Sequence, residues 1–182
     1  MNYPLKLITV LLTSSILFSC GGDEEEMEVD MGISSGDLSR GQATLNVSGD
    51  ETFEFENATV VGSTAPVEVE GKEYTFLSIV MGESGNSQQL VSIGFFIPEG
   101  QGTLPQNGNI PITFQLAAED NTYAAVSIVG ASDIYDSNTA STGILTISNS
   151  TEGSNSFEAT FEIENISSFS DTSVDLEGAF KY

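Results

Sequence analysis

The chain has 182 residues, carries 27 acidic side chains against 4 basic ones, and contains no histidine, no tryptophan and a single cysteine. A formal charge of −23 repels nucleic acid and anionic head groups, so the expected partners are neutral glycans, cations or a basic patch on an envelope protein, and no nucleic acid. Without histidine the Ser-His-Asp triad, imidazole acid-base work and imidazole metal sites are closed, and a lone cysteine cannot form an internal disulfide.

At the amino terminus, Leu5 to Phe18 form an apolar run interrupted by Lys6 and leading into Leu17-Phe18-Ser19-Cys20. The run is about 14 residues long, against about 20 for a spanning helix, and its form is that of a signal peptide with a cysteine at the cleavage point. It resembles the lipobox of bacterial lipoproteins, an aliphatic residue, a small or apolar residue and a small residue before the lipidated cysteine. Leu17, Ser19 and Cys20 take those places, and Phe18 is bulkier than the usual second residue. The resemblance implies that residues 1–19 are removed and that Cys20 carries lipid, which consumes the chain's only thiol.

Residues 20–41 are mostly Gly, Ser, Asp and Glu, too polar to offset the entropy of ordering, and read as a flexible acidic tether. Within them Asp23-Glu24-Glu25-Glu26 resembles the export signal that sends lipoproteins of Bacteroidetes-type bacteria to the outer face of the outer membrane. Gly21 stands where an aspartate would mark inner-membrane retention. The implied address is the outer membrane, lipid-anchored, at the cell surface. The tether also contains Gly32-Ile33-Ser34-Ser35-Gly36, a G-x-S-x-G pattern, but no strand precedes it and no base serves it.

From residue 42 onward the apolar period is two, the signature of half-buried strands. Phe157, Ala159, Phe161 and Ile163 alternate with Glu158, Thr160, Glu162 and Glu164, and the same pattern recurs in Ala43-Leu45-Val47, Val91-Ile93-Phe95-Ile97, Ile110-Ile112-Phe114-Leu116 and Val174-Leu176 continuing to Phe180 and Tyr182. Turn residues fall between: Gly71-Lys72 after Val67-Glu68-Val69, Glu119-Asp120-Asn121 after Leu116, and Thr151-Glu152-Gly153-Ser154 before Phe157. Pro66, Pro98, Pro105 and Pro111 are placed at or near strand ends. The expected fold is all-β: a single domain, 42–182, of about eight or nine antiparallel strands closed as a β-sandwich or a barrel.

Gly143-Ile144-Leu145-Thr146-Ile147, Phe157-Glu158-Ala159-Thr160-Phe161 and Val174 to Phe180 resemble the C-terminal half of small β-rich Bacteroidetes lipoproteins grouped as domains of unknown function. In those the strands run G-x-L-x-I, F-x-A-x-F and V-x-x-x-G-x-F. The resemblance implies a fold and an address, and no activity.

What chemistry remains is carried by oxygen. Calcium is the metal that carboxylates, amides and main-chain carbonyls would hold, and the best local cluster is Asp133-Ile134-Tyr135-Asp136-Ser137-Asn138. Asp133 and Asp136 are the candidate calcium ligands, and Tyr135, Asp133, Asp136 and Asn138 the candidate ligand-binding residues, Tyr135 as an exposed ring for a neutral glycan or else as a loop aromatic that folds back over the core. The same residue types also build turns by bonding their own backbone. A carboxylate-based polysaccharide enzyme needs two acids across a cleft, but the strand glutamates alternate with apolar residues and read as solvated faces. The expectation is therefore a non-catalytic, lipid-anchored envelope protein acting as a binding or assembly module. The alternatives are that polysaccharide-active enzyme and a purely structural envelope protein.

Overall fold

The structure, a computed structural model, describes residues 35–83, 85, 88–112 and 120–182. The signal segment, Cys20 and the first part of the tether lie outside the described residues. Ten strands follow one another: β1 (Gln42–Gly49), β2 (Phe53–Val69), β3 (Lys72–Gly82), β4 (Leu90–Pro98), β5 (Gly108–Ile110), β6 (Tyr123–Val129), β7 (Ile134–Asp136), β8 (Thr142–Thr151), β9 (Ser156–Ser168) and β10 (Ser173–Lys181). Eight of them close an antiparallel barrel in the order β10-β1-β2-β3-β4-β6-β7-β9, with β9 pairing back to β10. β8 lies on the same edge of β9 as β7, further towards its start, and carries the short β5 outside the ring. Of the two closures the alternation allows, the barrel is the one formed.

Closure needs strands that bend, and two bulges supply the bend. Between Ala43 and Leu45 the partner β2 advances from Phe55 to Ala58, and between Val174 and Leu176 the partner β9 advances from Ile163 to Ile166. Each bulge is fastened by a side chain of the facing strand. Thr44 Oγ1 donates to the Glu56 carbonyl at 2.7 Å, and Asp175 Oδ1 accepts from the Asn165 N–H at 2.9 Å, with Asn165 at φ +58°.

Inward residues of all the barrel strands meet in one core that includes Leu45, Phe55, Ile79, Ile93, Phe95, Val126, Phe157, Phe161, Leu176 and Phe180. An eight-stranded barrel is just wide enough for side chains to fill. At one end Phe157 packs edge-on against Phe95 and Phe180, with ring centroids 5.7 and 5.5 Å away, and Tyr182 lies 5.4 Å from it. Apolar residues inside and carboxylates outside are the reverse of a membrane-spanning barrel. Among the described residues no helix is long and apolar enough to cross a membrane.

β2 is long because it serves two neighbours in succession: Phe53 to Thr59 pair with β1, and Thr59 to Val69 pair with β3. The Val60 N–H still reaches the Gly41 carbonyl at 2.9 Å, and beyond it no strand among the described residues takes that edge. Pro66 therefore stands inside β2 rather than at its end. It is tolerated because its missing N–H falls on the open edge, where Glu68 also discourages pairing. The β2–β3 turn is Glu70-Gly71, with φ +50° and +83°, the doubly left-handed form a two-residue hairpin requires; it lies one residue earlier than the Gly71-Lys72 expected.

Two further expectations change. Ile110 to Leu116 do not form one strand as far as they are described: β5 ends at Ile110, Ile112 makes a single parallel bridge to Ala124, and Phe114 and Leu116 lie outside the described residues. Residues 35–41, assigned to the tether on composition, pack on the barrel. The Ser35 hydroxyl donates to Glu158 Oε2 at 3.1 Å, Arg40 Nη2 donates to the Asn155 carbonyl at 2.8 Å, and the Gly41 N–H donates to the Lys181 carbonyl at 2.7 Å. A polar segment orders without a core of its own when a rim supplies acceptors for it.

Candidate functional site

The expected site residues surround the β6–β7 turn at the rim opposite the start of β1. Tyr135 and Asp136 are consecutive in β7 and so point to opposite faces of the sheet. Tyr135 points inward and is 2 % exposed, so the exposed aromatic platform is corrected to a core residue whose hydroxyl just reaches the rim. That hydroxyl donates to Glu51 Oε2 at 3.3 Å. Burial, and then the Glu51 carboxylate, raise its pKa above the ordinary phenol value, against the opposing bond with Thr172.

Glu51, from the β1–β2 turn, is the centre of this rim. Besides Tyr135 it accepts from the Ala131 N–H and from the Ser132 hydroxyl at 3.3 Å. Asp133 accepts from the Ile134 N–H at 2.9 Å. That bond and those from the Ser168 and Ser170 hydroxyls hold its carboxyl below the usual range. Asn138 Oδ1 accepts from the Ala140 N–H at 2.7 Å, and its own N–H donates to Ser141 Oγ at 2.9 Å. These are bonds of turns closing on themselves. Of the expected calcium pair, Asp133 bonds Ser168 and Ser170 whereas Asp136 bonds Ser127, and among the described residues no group of three or more carboxylates is arranged to hold a metal ion.

Asp136 has a different setting. It faces outward opposite Ser127 on β6. Burial raises its carboxyl above the ordinary aspartate value, only partly offset by the Ser127 hydrogen bond. A carboxylate short of water on the outside of a barrel directs attention to the surface beside it.

That surface is the outer wall of β2, β3, β4 and β6. Cross-strand register places Val61 beside Val80, Ser63 beside Ser78, Ala65 beside Phe76 and Val67 beside Tyr74. It continues with Val80 to Ser92 to Ser127, Ser78 to Gly94 to Ala125, and Phe76 to Phe96 to Tyr123. On β2, β3, β4 and β6 no residue in these rows carries a charge, and the row through Ser127 continues to Asp136 on β7. At the foot, Tyr74, Phe76, Phe96 and Tyr123 form a buried outer cluster with Val69, supported by Val67 and Ala125; Phe96 and Tyr123 stack with centroids 4.8 Å apart and planes 8° apart. Gly94 makes room for it, since a Cβ there would lie 2.5 Å from the Phe76 ring. Higher on the wall Val61 is 44 % exposed, Val80, Leu90, Ser92, Ala125, Ser127 and Val129 are half-buried, and the Oγ atoms of Ser78 and Ser92 are buried without a hydrogen-bond partner among the described residues.

The opposite wall is acidic. One row across it reads Ile144, Glu162, Glu177, Asn46, Glu54, with Glu162 directly opposite Glu177. A further row holds Glu158 against Lys181, whose Nζ lies 2.7 Å from it. Elsewhere Glu83 is raised above its ordinary value by burial and then by the charge of Glu56. An open depression of about 400 Å³ beside the β2–β3 hairpin is lined by Pro66, Tyr74, Glu68, Glu73 and Glu99, among others. At the end of the barrel where β9 starts, Glu152 accepts from the Thr103 and Leu104 N–H groups at 2.8 and 3.2 Å, fastening the loop that carries the buried Leu104.

Residue types in sequence pointed to Asp133 to Asn138, whereas Glu51 and the uncharged wall could not be found that way. Glu51 lies 84 positions from Tyr135. The wall was visible in part, as the absence of acids from 59–67, 74–82 and 88–98, but only register joins those stretches. No family model matches the chain, and no curated protein or solved structure matches it at a significant level.

Proposed function

We propose that this chain is a lipid-anchored, non-catalytic protein of the outer membrane, displayed at the cell surface, whose barrel acts as a binding or assembly module through its outer wall. The observation that carries this reading is the uncharged wall: in a chain with 27 acidic side chains, a contiguous face of four strands without one marks a surface that meets something other than water. The filled barrel interior supports it, because binding in such a barrel is left to the outside. The lipobox reading of Leu17 to Cys20 and the acidic run after it support the address. The start of β1 and the docked residues 35–41 lie at one rim, so a lipid on Cys20 would tether that end.

The alternative is a polysaccharide-active enzyme working through two carboxylates, which the raised carboxyl of Glu83 beside Glu56 favours. Glu56 lies in the β2 bulge, and Glu83 follows the end of β3, whose Gly82 pairs with Thr59 just beyond it.

Expression with Cys20→Ser tests the anchor. The substituted protein is expected in the soluble envelope fraction, while the native chain stays with the outer membrane and is cleaved when intact cells are treated with protease. Equal membrane association of both forms would remove the lipid anchor from this reading. A thermal-unfolding scan of the Cys20→Ser chain against calcium, a chelator and neutral glycans tests for small ligands, since a ligand at 100 times its dissociation constant adds about 2.7 kcal/mol. Hydrolysis of a glycan that is lost in Glu83→Gln would favour the enzyme.

A further inference from the structure

We propose that the Arg40–Gly41 peptide bond is a guarded release site, at which an arginine-specific endopeptidase frees the barrel from its anchor once residues 35–41 undock. Release rests on the reading of Cys20 as the anchor; the guarding does not. The chain's only arginine stands between that anchor and β1. A cut after it leaves the whole described apolar core, from Ala43 to Phe180, on one fragment. Hydrolysis breaks the C–N bond after Arg40, with the hydroxyl of water going to the Arg40 carbonyl carbon and its proton to the Gly41 nitrogen.

As docked, the bond is closed to such an enzyme in three ways. An endopeptidase holds its substrate as an extended strand paired through the main chain, and one specific for arginine takes that side chain into a pocket that ends in a carboxylate. Gly41 has φ +82°, a left-handed conformation that no extended strand contains. Its N–H is given to the Lys181 carbonyl at 2.7 Å, and its carbonyl accepts from the Val60 N–H at 2.9 Å. The Arg40 guanidinium is itself engaged, donating from Nη2 to the Asn155 carbonyl at 2.8 Å.

What holds this strap shut is thin and polar. Within 35–41 only Ser35 is buried, and Leu38, the one large apolar side chain, is half-buried. The latch is the Ser35 hydroxyl on Glu158 Oε2 at 3.1 Å, with Lys181 Nζ holding the other oxygen of Glu158 at 2.7 Å. Immediately beyond it β1 is paired on both sides, and Ala43, Leu45 and Val47 are fully buried. The strap therefore opens without the barrel unfolding. Cleavage then follows the population of the open form, so a few hydrogen bonds set how long the barrel keeps its tether.

Digestion of the chain from residue 20 with Cys20→Ser, using an arginine-specific endopeptidase and intact-mass spectrometry, tests the guard apart from anchoring. Arg40 is the only site in that chain. The expected product begins at Gly41, keeps the far-UV circular dichroism of the barrel, and forms about a hundredfold more slowly than from a synthetic peptide of residues 35–46. Ser35→Ala and Glu158→Ala, each checked as folded beforehand, are expected to speed the cut about tenfold. Glu54→Ala, on the acidic wall away from the strap, leaves the rate unchanged. Cleavage of the unsubstituted chain as fast as the peptide, equal rates in all the variants, no cut at Arg40, or a product that loses its fold would each overturn the proposal. The membrane fractionation of Cys20→Ser decides the anchor by itself.

Discussion

On one side of this barrel Glu162 faces Glu177 across adjacent strands with Glu54 in the same row, while on the other Ser78, Gly94 and Ala125 follow one another in a row without a charge. The core behind the two walls is the same kind of apolar packing, so the fold itself does not require the difference. Like charges opposite one another on a wet face cost about 0.2–1 kcal/mol per pair, a modest cost that keeps the acidic side solvated and copies apart. The uncharged wall has the opposite character: its polar atoms are small, some are buried, and a charge placed there has no water to retain.

Exchanging features between the walls tests this contrast. Ser78→Asp puts a carboxylate where the side chain is 4 % exposed; an uncompensated buried charge costs about 3–5 kcal/mol, so the denaturant midpoint is expected to fall steeply or the protein to fail to fold. Phe96→Ala removes the ring at the centre of the outer cluster. It is expected to cost about 3 kcal/mol in chemical unfolding, showing that this wall is stabilised by packing of its own.

Asp136, at the border of the uncharged wall, gives a pH-dependent version of the comparison. Burial raises its carboxyl in the folded state, so the folded protein binds a proton more readily than the unfolded chain does. Its ionisation therefore costs stability as pH climbs from the ordinary aspartate range through the raised value. Asp136→Asn is expected to raise the unfolding temperature at neutral pH, with the gain disappearing below the ordinary aspartate pKa. A pH series of thermal melts on both proteins checks it, and equal differences at all pH values would count against a desolvated Asp136.

The smallest effect is expected on the acidic wall. Glu177→Lys turns the repulsion with Glu162 into attraction and should stabilise by about 0.5–1 kcal/mol at low salt. Most of that gain should vanish at about 1 M salt, where the Debye length is about 3 Å. If the gain survived high salt, altered packing rather than charge would be its source.

Period-two patterning named the inward residues of β1, β4, β9 and β10 correctly, from Ala43, Leu45 and Val47 to Phe157, Ala159, Phe161 and Ile163. The pleat ties each side chain's face to its neighbours within a few residues, so that information is local. For Tyr135 the sequence left open an exposed ring and one folded back over the core, and the structure forms the buried one. The exposed reading rested on its neighbours Asp133, Asp136 and Asn138, yet Asp136 points to the other face and Asp133 and Asn138 accept from backbone N–H groups beside them.

The amino-acid sequence by itself determined that the domain is all-β, which side chains of the well-patterned strands form the core, and which catalytic chemistries its composition lacks, because composition and short-range alternation carry those facts. Closure as a barrel rather than a sandwich, the docking of residues 35–41, the seating of Tyr135 under Glu51 and the joining of four strands into one uncharged wall were decided only in the tertiary structure. Each depends on register and bulges between strands far apart in the chain, and a one-residue change of register would turn a strand's other face to the wall.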